Sequence, residues 1–179
     1  MSAIQATVGT QTEVIDAVRP RFSDLWNSYP VGMAAGDVYK LVGGNAYALY
    51  KENPADYANA CALRLSRALN YGGLTITSTA TGYKVNGGDE KLYLLRVKDM
   101  VSFVKANFGA PDMEIDTEGL DQSWAFREKK GVLIFNVSGW DRATGHVTLW
   151  NGSDCGDSCY FFHHQPGVVT TSILFWELK

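Results

Sequence analysis

Apolar residues recur along this chain in two rhythms, helical over the first two thirds and strand-like over the last third. From Cys61, apolar positions return at Leu65, Ala68 and Leu69, spacings of i+4, i+7 and i+8, while Arg64 and Arg67 fall elsewhere. That pattern predicts an amphipathic helix. Asn59 is placed to cap its start, which puts Cys61 at the second helical position, and Asn70-Tyr71-Gly72-Gly73 ends it. Val97, Val101, Val104 and Phe108 predict a second helix, stopped by Gly109. Upstream, Asp37 is placed to cap a short helix through Leu41, ended by Gly43-Gly44. Residues 45–51 predict another, closed by Asn53-Pro54, because proline disfavours helical backbone in the residue before it. The Thr-rich stretch 74–85 reads as an extended ribbon closed by Asn86-Gly87-Gly88.

In the last third, Val132 to Val137 is an apolar run of strand length. His146 to Trp150 alternates, with His146, Thr148 and Trp150 on one face and Val147 and Leu149 on the other. Asn151-Gly152 starts a turn, and Tyr160 to His164 and Val169 to Trp176 predict two further strands. Helices followed by an antiparallel sheet make an α+β fold. Residues 1–18 read as a loose polar extension with a helical turn near residues 13–18, and residues 19–179 as a single domain.

Composition narrows the function. A chain of 179 residues corresponds to roughly one domain at about 150 residues each, large enough to bury a core without metal or disulfide staples. A net charge of −3 argues against a broad nucleic-acid or anionic-membrane footprint. The first 18 residues hold no Lys or Arg and include Glu13 and Asp16, which is not the pattern of a secretory signal. The longest apolar stretch, Val168 to Trp176, is too short to span a bilayer. The expectation is therefore a protein made in the cytoplasm, without membrane insertion, that leaves the cell only by a route needing no cleaved signal.

The three cysteines carry the candidate chemistry. Cys61 falls in the first turn of its helix, where unsatisfied N–H groups and partial positive charge favour a thiolate over a thiol. Free cysteine is also a common small core residue, so a nucleophile needs a partner. His146 follows Gly145 and opens a strand, and a helix-borne thiol with a strand-borne imidazole makes the two halves of a thiol hydrolase. His163 and His164, read as neighbours on one strand, would face opposite sides, so at most one would join a site.

Cys155 and Cys159 have three open readings: a disulfide, half of a zinc site with His163, or two unrelated thiols. The disulfide is favoured, because His163 and His164 do not readily converge on one ion from a single strand. It would fix the loop carrying Asp157 and imply an oxidising destination. Asp157 by itself is equally an ordinary turn residue.

Four segments together resemble family 4 of the type VI secretion amidase effectors. They are Phe22-Ser23-Asp24-Leu25-Trp26, Asn59-Ala60-Cys61 through Asn70, Gly145-His146-Val147-Thr148-Leu149-Trp150-Asn151-Gly152, and the Cys155/Asp157/Cys159 loop. The similarity runs from about Arg19 to the Phe175-Trp176-Glu177-Leu178 end and leaves residues 1–18 outside. The resemblance implies a papain-like peptidoglycan amidase of the NlpC-type superfamily, with Cys61, His146 and Asp157 as the catalytic set and Cys155–Cys159 as a disulfide. Asp154 is the nearby alternative to Asp157. It implies a substrate, the D-glutamyl–meso-diaminopimelate bond of wall stem peptides, cut with no metal or organic cofactor. It also implies delivery by the type VI apparatus into a rival's periplasm and a cognate immunity protein that plugs the groove. Asn59 and Tyr57 are candidate side-chain donors to the oxyanion, beside the Cys61 N–H, and Trp140 and Trp150 are candidate groove residues. A non-enzymatic wall- or glycan-binding module is the competing reading, suggested by 12% aromatic residues and 18 glycines.

Overall fold

A computed structural model describes residues 3–8, 11–16, 19–141 and 143–179, the first two segments by their backbone alone. The fold is α+β, with the helices before the main sheet. β1 (Ala3–Val8) and β2 (Gln11–Asp16) pair antiparallel, from Ala3 opposite Asp16 to Val8 opposite Gln11. A helical turn near residues 13–18 was expected. The β-branched Thr12, Val14 and Ile15 instead lie in a strand, which suits such side chains better than a helix.

Four helices follow: α1 (Phe22–Ser28), α2 (Ala35–Val42), α3 (Gly44–Glu52) and α4 (Cys61–Tyr71). Asp37 lies in the first turn of α2 rather than capping it, and Gly43 ends that helix at φ 70°, a backbone angle that favours glycine. β3 (Lys84–Asn86) and β4 (Leu92–Leu94) form a short hairpin. Of the expected ribbon over 74–85, only its end is therefore a strand. Asn70 Oδ1 takes the Ile76 N–H at 2.8 Å, so this segment finds its partner in α4 rather than in a sheet ladder.

After α5 (Val97–Phe108) come β5 (Met113–Asp116), a 3-10 turn (Ser123–Phe126), β6 (Gly131–Ser138), β7 (Gly145–Trp150) and β8 (Val169–Glu177). The sheet runs β5-β8-β6-β7, antiparallel throughout. Its two faces sort the residues of the central strands. Val132, Ile134, Leu174 and Trp176 pack with Leu25, Leu65, Leu69 and Val104 under the helices. Leu133, Phe135, Ile173 and Phe175 pack with Phe126 and Phe161 on the far side. Burial on both faces explains why Val132 to Val137 is an unbroken apolar run rather than an alternating one.

Tyr160 to His164 is not a strand but bends and irregular backbone. Phe161 is buried in the far-side core while Phe162 is 59% exposed, so an in-and-out pattern exists without a partner strand. Arg19 anchors the start of this body. It donates to Phe108 O at the end of α5 (3.0 Å) and to Glu177 O (3.1 Å), and it pairs with Asp112. A cation there satisfies carbonyls that a helix C-terminus leaves open.

Candidate active site

Among the described residues β7 is an edge strand of the sheet, paired with β6 alone, and α4 packs against it. That edge is where the helix-borne and strand-borne residues meet. Gly145 opens β7 opposite Asn136, and a Cβ there would stand 2.4 Å from Phe135 O. Only glycine lets the strand approach this closely before His146.

Cys61 is the first residue of α4 and is buried. Asn59 was expected to cap the helix with Cys61 at the second position. Ala60 instead occupies the cap, and Asn59 Oδ1 accepts the N–H of Cys61 itself at 3.0 Å. His146, 4% exposed, lies close enough to Cys61 for that side chain to raise its pKa. Its Nε2 lies 3.1 Å from Asp157 Oδ1, which leaves Nδ1 for the sulfur. Cys61, His146 and Asp157 are thus brought together in that order.

Electrostatics favour a charged imidazole. Burial opposes the cation, but attraction to the Cys61 sulfur and the hydrogen bond that the ring donates to Asp157 outweigh it, so the His146 pKa is pushed up to about 10. For Asp157, burial alone would raise the carboxyl. Hydrogen bonds from His146, Thr148 and the Ser158 N–H reverse that and hold it below its ordinary value. Asp154 has no part in this. It is exposed, and its carboxylate accepts from Ser153 Oγ at 2.8 Å.

Thr148 and Arg64 hold the carboxylate and Tyr29 braces Thr148, and the sequence alone assigns none of the three a role. Thr148 Oγ1 donates to Asp157 Oδ1 at 2.5 Å, and Tyr29 OH lies 3.4 Å from the same Oγ1. A hydroxyl has one proton; Thr148 spends it on Asp157, so Tyr29 is the donor in the second contact. Arg64, one turn after Cys61 on α4, brings Nε to 3.6 Å from Asp157 Oδ2. It also donates to the carbonyls of Pro30, at 2.6 Å, and Met33. Thr148 was detectable, since the alternation of β7 places it on the His146 face. Arg64 had only its i+3 spacing from Cys61, and Tyr29 carried no local signal.

Cys155 and Cys159 are joined by a disulfide, so they are not available as zinc thiolates. The loop is fixed further by the Gly156 N–H to Leu149 O (2.8 Å) and the Gly32 N–H to Gly156 O (3.1 Å). Tyr29 packs so closely on Gly156 that a Cβ would come within 2.7 Å of its ring. Among the described residues, no group of three or more His, Cys, Asp or Glu side chains is arranged to hold a metal ion.

The site lies where two arms of a cleft join at Asn59 and Ala143. One arm, about 560 Å³, passes Cys61 between Tyr57, Tyr83 and Arg96. The other, about 880 Å³, passes His146 and Asp157 and is lined by Trp140, Tyr160 and His163. Each is large enough to hold a piece of a peptide. Trp140 stands edge-on to Tyr160 at 4.9 Å, and Tyr160 edge-on to His146 at 4.8 Å. Trp150 belongs to the core instead: it is 4% exposed and its Nε1 donates to Phe126 O at 2.7 Å. His163 stacks on Tyr160 and contacts Thr170 through Nε2 at 2.8 Å, so it lines the second arm without joining the Cys61 set.

Comparison with known proteins gives a consistent answer. A family model described as type VI secretion system (T6SS) amidase effector protein 4, Tae4, matches residues 57–176. The crystal structure of the Tae4–Tai4 effector–immunity complex from Enterobacter cloacae contains a similar chain, with 37% identity and a TM-score of 0.81. It covers 90% of this chain and 100% of that one. Tae4 from Enterobacter cloacae by itself gives 36% identity and a TM-score of 0.81 over 92% and 100% of the two chains. Salmonella typhimurium Tae4 in complex with Enterobacter cloacae Tai4 gives 33% and 0.80 over 90% and 100%. No curated protein matches the chain.

Proposed function

The chain belongs to family 4 of the type VI secretion amidase effectors, and on that premise we propose that it is a cysteine amidase that cuts the D-glutamyl–meso-diaminopimelate bond of peptidoglycan stem peptides. The observation that carries this reading is the Cys61–His146–Asp157 alignment at the junction of the two cleft arms.

The ionised Cys61 sulfur attacks the amide carbonyl carbon and forms a C–S bond. His146, holding the proton, delivers it to the leaving nitrogen as the C–N bond breaks, and a thioester remains. His146, now neutral, takes a proton from water, whose oxygen attacks the thioester carbonyl; the sulfur leaves and the acid is released. Asp157 holds the ring by Nε2 throughout and stabilises its charged form. The Cys61 N–H at the start of α4 is the main-chain donor that would serve the developing oxyanion. Asn59 occupies it in the resting structure, so it becomes available when the Asn59 side chain turns away. That same turn would present the Asn59 amide to the substrate.

The destination follows from the same reading. The type VI apparatus would deliver the protein into a recipient's periplasm, an oxidising compartment where the Cys155–Cys159 bond persists. Among the described residues, no helix is long and apolar enough to cross a membrane. Tae4 relatives are found in complex with the immunity protein Tai4, and a cognate immunity protein filling the cleft would protect the producer here.

The test is mass spectrometry of muropeptides after incubation of the protein with sacculi. Fragments ending in D-glutamate, with new diaminopimelate amino termini, are expected from the wild type and absent for Cys61→Ala. Full cleavage by Cys61→Ala, or binding to sacculi with no released fragments, overturns the reading.

A further inference from the structure

The two arms of the cleft differ in how their charges are partnered. In the Cys61 arm Arg96 and Lys98 stand with Asp56, whereas in the His146 arm Arg64 and His146 are both paired with Asp157, beside a wall of Trp140, Tyr160 and His163. Arg96 sits immediately before α5, with its guanidinium 4.9 Å from the centre of the Tyr83 ring. Asp99, in the first turn of α5, accepts the Tyr83 N–H at 3.1 Å. The helix that follows Arg96 therefore also holds the aromatic platform against which the guanidinium lies.

Among the described residues, neither Arg96 nor Lys98 has a carboxylate partner; the ion pairs are Arg19–Asp112, Arg64–Asp157, Lys129–Glu177 and His146–Asp157. The acidic residue lining this arm, Asp56, accepts from Asn53 Nδ2 at 2.5 Å. Two cations, one of them oriented by stacking, thus face the arm that leads to the reacting sulfur. An anionic group on the substrate is the complement they lack.

The chemistry indicates which anion. The amine that leaves takes its proton from His146, so the leaving half of the substrate lies in the His146 arm and the acyl half in the Cys61 arm. An acyl-side glutamate joined through its side-chain carboxyl keeps its α-carboxylate free, a few bonds from the scissile carbonyl. We propose that Arg96, with Lys98 beside it, binds that free α-carboxylate and selects stem peptides whose glutamate is not amidated. This rests on the amidase reading above and adds a specificity-determining residue to it.

Three synthetic stem peptides test it: one with the glutamyl α-carboxylate, one with a carboxamide there, and one with a carboxamide on diaminopimelate instead. The wild type is expected to prefer the first over the second by about tenfold or more in kcat/KM, consistent with a charge-assisted contact. Arg96→Ala brings that ratio close to one, chiefly through KM. Arg96→Lys, which keeps the charge without the fork, restores part of it. An unchanged ratio in Arg96→Ala overturns the assignment, as does an equal loss on both substrates, which marks a structural effect. A wild-type ratio near one, or discrimination only at diaminopimelate, also overturns it. Failure of the amidase reading looks different: the wild type then cleaves none of the three peptides, and this inference falls with it.

Discussion

His146 and Thr148, two residues apart on one face of β7, converge on a single oxygen of Asp157, at 3.1 and 2.5 Å. The strand repeat that aims the imidazole therefore also supplies the hydroxyl that holds its partner. Thr148→Val keeps the shape but removes the donor to Asp157 and the acceptor for Tyr29. A buried polar group left unpaired costs about 1–3 kcal/mol. Urea denaturation should show a loss of that size, and kcat should fall while Cys61 remains alkylatable. Unchanged stability and kcat would remove Thr148 from the network.

Asp157 sets two pH limits. Its folded pKa is depressed, so the stability it contributes is present above the unfolded carboxylate value of about 3.9 and is lost as pH falls through the lower folded value. Urea midpoints of the wild type should therefore fall as the pH drops below about 4, and this component should be absent in Asp157→Asn. The pKa of His146, near 10, is raised in part by Asp157. Removing that carboxylate should move the alkaline limb of the rate profile to lower pH. The rate itself should fall by roughly two to four orders of magnitude if the imidazole is misdirected. An alkaline limb that stays in place argues against the His146–Asp157 coupling.

Gly156 precedes Asp157 in the disulfide loop and lies against the ring of Tyr29. Gly156→Ala places a methyl within 2.7 Å of that ring, and overpacking of this kind costs typically about 1–3 kcal/mol. Thermal unfolding should report the cost, and activity should fall with it because the loop moves Asp157. A variant as stable and active as the wild type would mean that the loop gives way elsewhere.

Trp140 and Trp150 should separate cleanly. Trp140→Ala removes a wall of the His146 arm and should raise KM for stem peptides about threefold or more, with a smaller effect on kcat. Trp150→Phe strips the donor from Phe126 O at a cost of about 1–3 kcal/mol, with KM unchanged. The reverse pattern would exchange the roles of groove and core.

Local periodicity in the sequence was enough to set out the elements that carry the site. The apolar stripe Cys61–Leu65–Leu69, the alternation from His146 to Trp150 and the buried run Val132 to Val137 place a thiol on a helix and an imidazole on a strand. Their association with Asp157 came from the resemblance of four segments to one family. Tyr160 to His164 reads as a strand but is a loop, because an in-and-out pattern does not distinguish a strand from a loop whose side chains alternate between core and cleft; strands need partners, and partners are non-local. Arg64 shows the same limit from the helix side. A charged residue off the apolar stripe reads as solvent-facing, yet the turn at Pro30 to Met33 and the Asp157 loop close over it and bury it. Tyr29, 119 residues from Thr148 in sequence, could be assigned only once the chain had folded. The tertiary structure alone decided what holds the third residue, which tryptophan lines the cleft and where unpaired charge faces the sulfur, because each depends on groups that only packing brings together.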